Sequence, residues 1–84
     1  MKINRDEAKK MIEEAGLIFA ADTVGPKLRF MGVLVRFNIQ GGTSTYGSVN
    51  SDLNEMVDGD VLAEIIQEAK ADPFVQRHHF GKGE

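Results

Sequence analysis

The spacing of apolar residues predicts a helix at the start of the chain. Asn4 followed by Glu7 has the form of a capping box, in which each side chain satisfies a free backbone N–H at a helix start. Apolar side chains then recur at helical spacing, at Ala8, Met11, Ile12 and Ala15. Gly16 can take the left-handed conformation that stops a helix. The pattern therefore predicts a helix from Arg5 to Ala15.

The next region has the two-residue period of β-strands. Leu17–Thr23 is short and apolar, and Val24–Lys27 contains the Gly-Pro pair of a turn. From Val33 to Gln40 apolar and polar residues alternate, as in a strand with one buried face. Phe30 falls on the opposite parity from this run, so a β-bulge is predicted near Met31-Gly32.

A hairpin and two helices complete the pattern. Gly41-Gly42 predicts a tight turn, with Thr43–Val49 as the returning strand. An apolar stripe at helical spacing follows and predicts a main helix over Asp60–Ala71. Asp72-Pro73 is typical of a helix start, which predicts a short last helix over Phe74–Phe80. We expect residues 81–84 to form a flexible tail.

Together these elements predict an α+β fold. It is a small two-layer domain, a three-stranded antiparallel meander with an N-terminal helix and a C-terminal helix, in the order α-β-β-β-α. The 84 residues are enough for one domain over 1–84. Helices would cover one face of the sheet and leave Ile18, Leu34, Tyr46 and Phe30 on the other. The final segment or a second copy of the chain would cover that face, and we expect a homodimer.

The amino-acid composition indicates the cellular compartment in which we expect the protein. The chain has no cysteine, which favours the reducing cytoplasm over secretion for a domain of this size. It starts without the apolar core of a signal peptide, and no apolar run approaches the roughly 18 residues that span a bilayer. We therefore expect a soluble cytoplasmic protein with no membrane association. The net charge of −3 is unevenly distributed, because residues 17–50 are mildly basic and residues 51–72 carry seven acidic side chains and one basic.

The hairpin is the most distinctive candidate for ligand binding. Glycines that allow close backbone approach precede a run of hydroxyl side chains in the segment Gly41, Gly42, Thr43, Ser44, Thr45 and Tyr46. Together with Arg29 and Arg36, they predict a surface for a small phosphorylated ligand. A P-loop is excluded, because Ser48 and Val49 stand where that motif requires Lys and then Ser or Thr. The structural alternative is a turn followed by an edge strand.

Metal and catalytic motifs are weak. His78 and His79 are adjacent and lack the spacing at which two imidazoles on one helix share a metal, so a solvated terminal segment is favoured. Asp58-Gly59-Asp60 resembles part of a calcium loop, but Ile65 occupies the position of the bidentate Glu. No nucleophile elbow or cysteine nucleophile is present. We expect no metal, no cofactor and no enzymatic activity.

The acidic segment is a candidate for partner binding. Asp60, Glu64 and Glu68 share one helix face, and they would dock on a basic partner or serve only as a solvated face. Nucleic-acid binding is not expected, because the chain is acidic and only Phe37 and Tyr46 lie near the middle as stacking groups.

Two hypotheses for function remain. In the first, a small non-enzymatic inhibitor or adaptor occupies a macromolecular partner through the acidic helix and the uncovered sheet face, as small proteins of viruses and mobile elements often do. In the second, a homo-oligomer binds a small phosphorylated or nucleotide-like ligand through the Gly/Ser/Thr-rich hairpin and Arg36.

Overall fold

The computed structural model describes residues 1–82 and has the predicted α+β architecture. Its elements, in chain order, are β1 (Lys2–Ile3), α1 (Arg5–Glu14), β2 (Ile18–Val24), β3 (Arg29–Ile39), β4 (Gly42–Asn50), β5 (Val57–Asp58), α2 (Gly59–Ala71) and α3 (Pro73–His78). Strands β2, β3 and β4 form an antiparallel sheet in that order, which confirms the three-stranded meander. The helices lie N-terminal and C-terminal to this sheet, as expected.

Local capping explains where the helices begin. The backbone N–H of Glu7 donates to Asn4 Oδ1 at 2.8 Å, and the backbone N–H of Asn4 donates to Glu7 Oε1 at 2.8 Å. The capping box of α1 is therefore confirmed. Asp58 caps α2 by accepting from the N–H groups of the next turn, and these bonds hold the pKa of its carboxyl below the usual range. Asp72 caps α3 in the same way, with Pro73 in the first turn.

One face of the sheet, the inner face, packs against all three helices. Val33, Val35 and Phe37 alternate along β3 and are buried there, as their spacing predicts. The helices contribute most of the remaining core residues, and the other strands and the segment before β2 contribute the rest. These residues are Ala8, Ile12, Leu62, Ile66, Ala69 and Val75 from the helices, Leu17 before β2, and Ile3, Phe30, Val49 and Val57 from strands. Helix α3 also packs on the inner face, where the ring of Phe74 meets the ring of Phe37 edge to face with 6.0 Å between their centroids. Alternation along β3 therefore defines the core.

Two β-bulges change which residues face the helices. Asp22 pairs with Gly32 and Thr23 pairs with Phe30, so Met31 is the extra residue and the predicted bulge is confirmed. The bulge turns Phe30 to the inner face, where it is 5% exposed, and its expected place on the opposite face is wrong. A second bulge lies in β4, where Val35 pairs with Gly47 and Arg36 with Thr45, so that Tyr46 is the extra residue. The sequence pattern did not predict this bulge. Tyr46 therefore packs against the core, not on the opposite face as expected.

A second, two-stranded sheet joins the segment before α1 to the segment before α2. β1 pairs antiparallel with β5, with Lys2 opposite Asp58 and Ile3 opposite Val57. The N–H of Gly59 donates to the carbonyl of Met1 at 2.7 Å and extends this contact. The sequence pattern did not indicate these strands because each has only two residues.

Two further features concern the limits of the chain. Within residues 1–82, no helix is both long enough and apolar enough to cross a membrane. Of the tail expected over 81–84, Lys82 donates its backbone N–H to the carbonyl of Gln76 at 2.8 Å. Residues 83–84 lie outside the part that the structure describes.

Candidate functional site

The outer face of the three-stranded sheet carries the candidate site. Directly paired residues of an antiparallel sheet share a face, so the pairs Ile18–Arg36 and Ala20–Leu34 both lie opposite the core. Ile18, Ala20 and Leu34 form an apolar stripe there, and each is half-buried. All three helices pack on the inner face, so no helix of residues 1–82 covers this stripe. We call this surface the open face.

Arg36 lies beside the stripe and is held by two hydroxyls. Its two terminal nitrogens, Nη1 and Nη2, donate to Thr45 Oγ1 and Thr43 Oγ1, both at 2.6 Å. Thr45 is paired directly with Arg36 across the strands. Thr43 lies two residues before Thr45 on β4 and on the same face. None of the ion pairs of residues 1–82 involves Arg36. The oriented guanidinium therefore keeps N–H groups and a positive charge for an incoming anion.

The structure brings together only some of the residues that were predicted to bind a ligand. Arg36, Thr43 and Thr45 come together on the open face, close to the hairpin turn. The predicted turn at Gly41-Gly42 is wrong by one residue: the turn is Gln40-Gly41, because Gly42 already pairs with Ile39 in β4 and only Gly41 has a positive φ. Ser44 pairs with Phe37 and so lies on the inner side of the sheet, as does Tyr46. Arg29 lies seven residues from Arg36 on β3, about 23 Å away at roughly 3.3 Å per residue. Only part of the predicted set can therefore touch one small ligand.

Tyr46 connects the sheet to the start of α3. Its ring meets Phe37 at 6.3 Å in an edge-to-face arrangement. Burial raises the pKa of the Tyr46 hydroxyl, and the carboxylates of Asp72 and Glu68 raise it further by favouring the neutral form. Because Tyr46 and Phe37 both pack inward, neither ring gives the open face a platform for stacked bases.

The predicted partner-binding carboxylates form an acidic stripe on α2. Asp60, Glu64 and Glu68 are all exposed and lie four residues apart, on the side of α2 opposite its buried residues. Asp60 Oδ2 contacts the amine of Met1 at 2.9 Å, and this contact raises the pKa of that amine. No ion pair of residues 1–82 involves Glu64 or Glu68. The acidic stripe points away from the sheet, so a flat partner cannot touch both it and the open face.

His79 has a structural role that the sequence did not indicate. Its Nδ1 accepts the backbone N–H of Asn38 at 2.9 Å, and its Nε2 lies 2.6 Å from the carbonyl oxygen of Gly16. β2 begins at Ile18, opposite Arg36, so the imidazole joins backbone groups just beyond the paired part of the two strands. The expectation of a solvated segment is therefore wrong at His79. No sequence signal connects residues so far apart.

Two concave surfaces of the described residues lie away from the open face. A groove of about 370 Å³ between α1 and α2 is lined by Met11, Glu14, Ala63, Ile66, Gln67 and Lys70. A second depression of about 400 Å³ lies on the charged surface of α1. In residues 1–82, no three acidic, histidine or cysteine side chains converge as metal ligands. The open face offers apolar side chains next to an oriented cation.

Comparisons of the chain with protein-family models, with curated proteins and with solved structures found no match.

Proposed function

We propose that the protein is a small non-enzymatic binding protein, an inhibitor or adaptor that acts by occupying the surface of a partner protein. The observation that carries the proposal is the open face, where an apolar stripe lies beside an arginine held by two threonines. Protein interfaces combine an apolar centre with a polar rim, and arginine is enriched in them. The open face has both parts.

The chemistry of this surface defines the partner. Leu34 and Ile18 present apolar side chains that a partner would remove from water. Arg36 is pre-oriented by Thr43 and Thr45, so binding a carboxylate costs little additional side-chain entropy. The matching partner surface is apolar with an acidic side chain at its edge.

Affinity capture from the organism that encodes the protein tests this function. Wild type should retain a partner, and Leu34→Glu and Arg36→Glu should each lose it while keeping the wild-type circular dichroism spectrum. The matched control reverses the acidic stripe, with Asp60, Glu64 and Glu68 all changed to Lys, and should still retain the partner. Cross-links from the bound partner should map to β2, β3 and β4. If wild type captures no partner, the proposal fails.

The same comparison separates the two candidate surfaces. Loss of the partner in the Lys variant, with retention in Leu34→Glu, would assign binding to Asp60, Glu64 and Glu68 and to a basic partner. The proposal favours the open face because it has a stripe of three apolar residues, whereas Val61 is the single exposed large apolar residue of α2 beside the acidic stripe.

A second candidate function rests on the contact of Arg36 with Thr43 and Thr45. A guanidinium and two hydroxyls beside a glycine turn suit a phosphate group of a small ligand. Titration with inorganic phosphate and a nucleotide panel tests it, and a ligand at 100 times its dissociation constant should stabilise the fold by about 2.7 kcal/mol. Arg36→Gln should abolish this effect and the distant Arg29→Gln should preserve it. Absence of any thermal shift would eliminate this candidate.

A further inference from the structure

The three-stranded sheet has two free edges, and they differ. β2 and β4 each pair only with β3, so the outward backbone groups of both edge strands lack a strand partner in residues 1–82. β4 is interrupted by its bulge at Tyr46, a feature that protects sheet edges. β2 has no bulge of its own, no proline and no basic residue, and its single charge is Asp22. β2 is therefore the edge most able to pair with another strand.

We propose that β2 is the seam of a symmetric dimer, in which the β2 strands of two copies pair antiparallel and form a continuous six-stranded sheet. A two-fold axis through the middle of the strand, near Ala21, generates this pairing from one surface. The new ladder satisfies the free backbone groups of both strands. It also covers the edge-facing sides of the half-buried Phe19 and Ala20.

Charge at the two ends of β2 selects a second copy as the partner. The strand is preceded by the end of α1, which carries Glu13 and Glu14 and has no basic residue in its last turn. It is followed by a turn and the start of β3, which carry Lys27 and Arg29. Antiparallel pairing places the end of one β2 beside the start of the other. The acidic end of each copy therefore meets the basic end of its partner.

These four side chains are available for such contacts. All are exposed, and neither Lys27 nor Arg29 takes part in an ion pair of residues 1–82. Glu14 has only a loose contact with Lys10, at 3.9 Å. The carbonyl end of α1 adds partial negative charge to the acidic cluster. The two-fold axis makes each favourable contact occur twice, once at each end of the seam.

The dimer also enlarges the open face. With the axis near Ala21, Ile18 of one copy would lie opposite Val24 of the other and Ala20 opposite Asp22, so the two open faces would join across the seam. This inference does not depend on the proposed function, because the seam uses backbone groups and charges that the open face does not. The sequence led us to expect a dimer that covers one face of the sheet. In the proposed dimer, the copies instead pair through an edge of the sheet.

A charge-swap series tests the seam by measuring molecular mass against concentration, by sedimentation equilibrium at low and high salt. Wild type should dimerise, and salt should weaken the dimer. Glu13→Lys with Glu14→Lys should raise the dimer dissociation constant about tenfold or more, because it sets like charges against each other at both ends. Lys27→Glu with Arg29→Glu should do the same. The variant carrying all four changes should recover the wild-type value.

The matched control is Glu64→Lys with Glu68→Lys, which makes the same change of charge on α2 and should leave the dimer unchanged. All substituted residues are exposed, and circular dichroism checks that each variant is folded. A wild type that stays monomeric at every concentration overturns the inference. So does a dimer that tolerates both reversed pairs, or one that the fourfold variant fails to restore.

Discussion

The two faces of one sheet differ in what their side chains do. On β3, Val33 and Val35 are fully buried against the helices, whereas Leu34 between them lies half-buried on the open face. Neighbouring residues of one strand thus serve stability and surface chemistry separately. The difference shows that an apolar residue in a strand of this protein belongs to the core only when a helix covers it.

The largest expected effect comes from truncating each face in turn. Phe37→Ala should lower the free energy of unfolding by about 3–5 kcal/mol, because it leaves a cavity under α3. Leu34→Ala should cost about 1 kcal/mol, because its site is open and can lose only cross-strand contacts. Urea denaturation measures both. Equal losses would show that something covers the open face.

Stability should be nearly as sensitive to substitution at the β3 bulge, which turns Phe30 to the inner face. Gly32 has φ of 152°, and a Cβ there would lie 2.3 Å from the carbonyl oxygen of Val49. Gly32→Ala should therefore cost about 3 kcal/mol or more through backbone strain and collision. Gly42→Ala is the matched control, since its added Cβ meets no atom within 4 Å and its φ is not positive. A small loss of stability at Gly32 would contradict the register at this bulge.

The contact of His79 should have an intermediate effect. His79→Ala removes the imidazole between Asn38 and Gly16 and should cost about 1–2 kcal/mol, because it leaves both backbone groups without that partner. His78→Ala should cost less, since His78 only stacks on Phe74 at 4.2 Å. Hydrogen exchange at the Asn38 amide provides a direct measurement. Unchanged protection in His79→Ala would disprove the contact.

The smallest effect is a pH dependence at Tyr46. The raised pKa of its hydroxyl means that the folded state favours the neutral form. This contribution to stability is complete below about pH 10, the ordinary pKa of tyrosine, and is lost as pH rises through the higher folded value. Tyr46→Phe should remove this part of the alkaline loss.

Asp72→Asn should make that loss smaller, because it removes a nearby carboxylate and keeps an acceptor that can cap α3. The chain has one tyrosine, so phenolate absorbance reports its titration directly. A phenolate titration that Asp72→Asn leaves unchanged would contradict the proximity of the Tyr46 hydroxyl to the Asp72 carboxylate.

Part of the candidate site could be predicted from local spacing. Thr43 and Thr45 lie two apart on a strand that returns from a glycine turn, so both could be expected beside Arg36. The separation of Ser44 from them follows from the same two-residue period. The position of Tyr46 could not be predicted, because one extra residue at a bulge reverses the face and leaves no clear mark in the sequence.

The sequence by itself determined the elements whose causes are local. The capping box of α1, the alternation of β3, the presence of a turn at Gly41 and the start of α3 each depend on residues a few positions apart. Only the tertiary structure decided which surfaces stay free and which distant groups meet. His79 reaches Asn38 and Gly16 across 41 and 63 residues, and β1 finds β5 across a similar distance. Such contacts form because the core brings the ends of the chain together, and no local pattern encodes that approach.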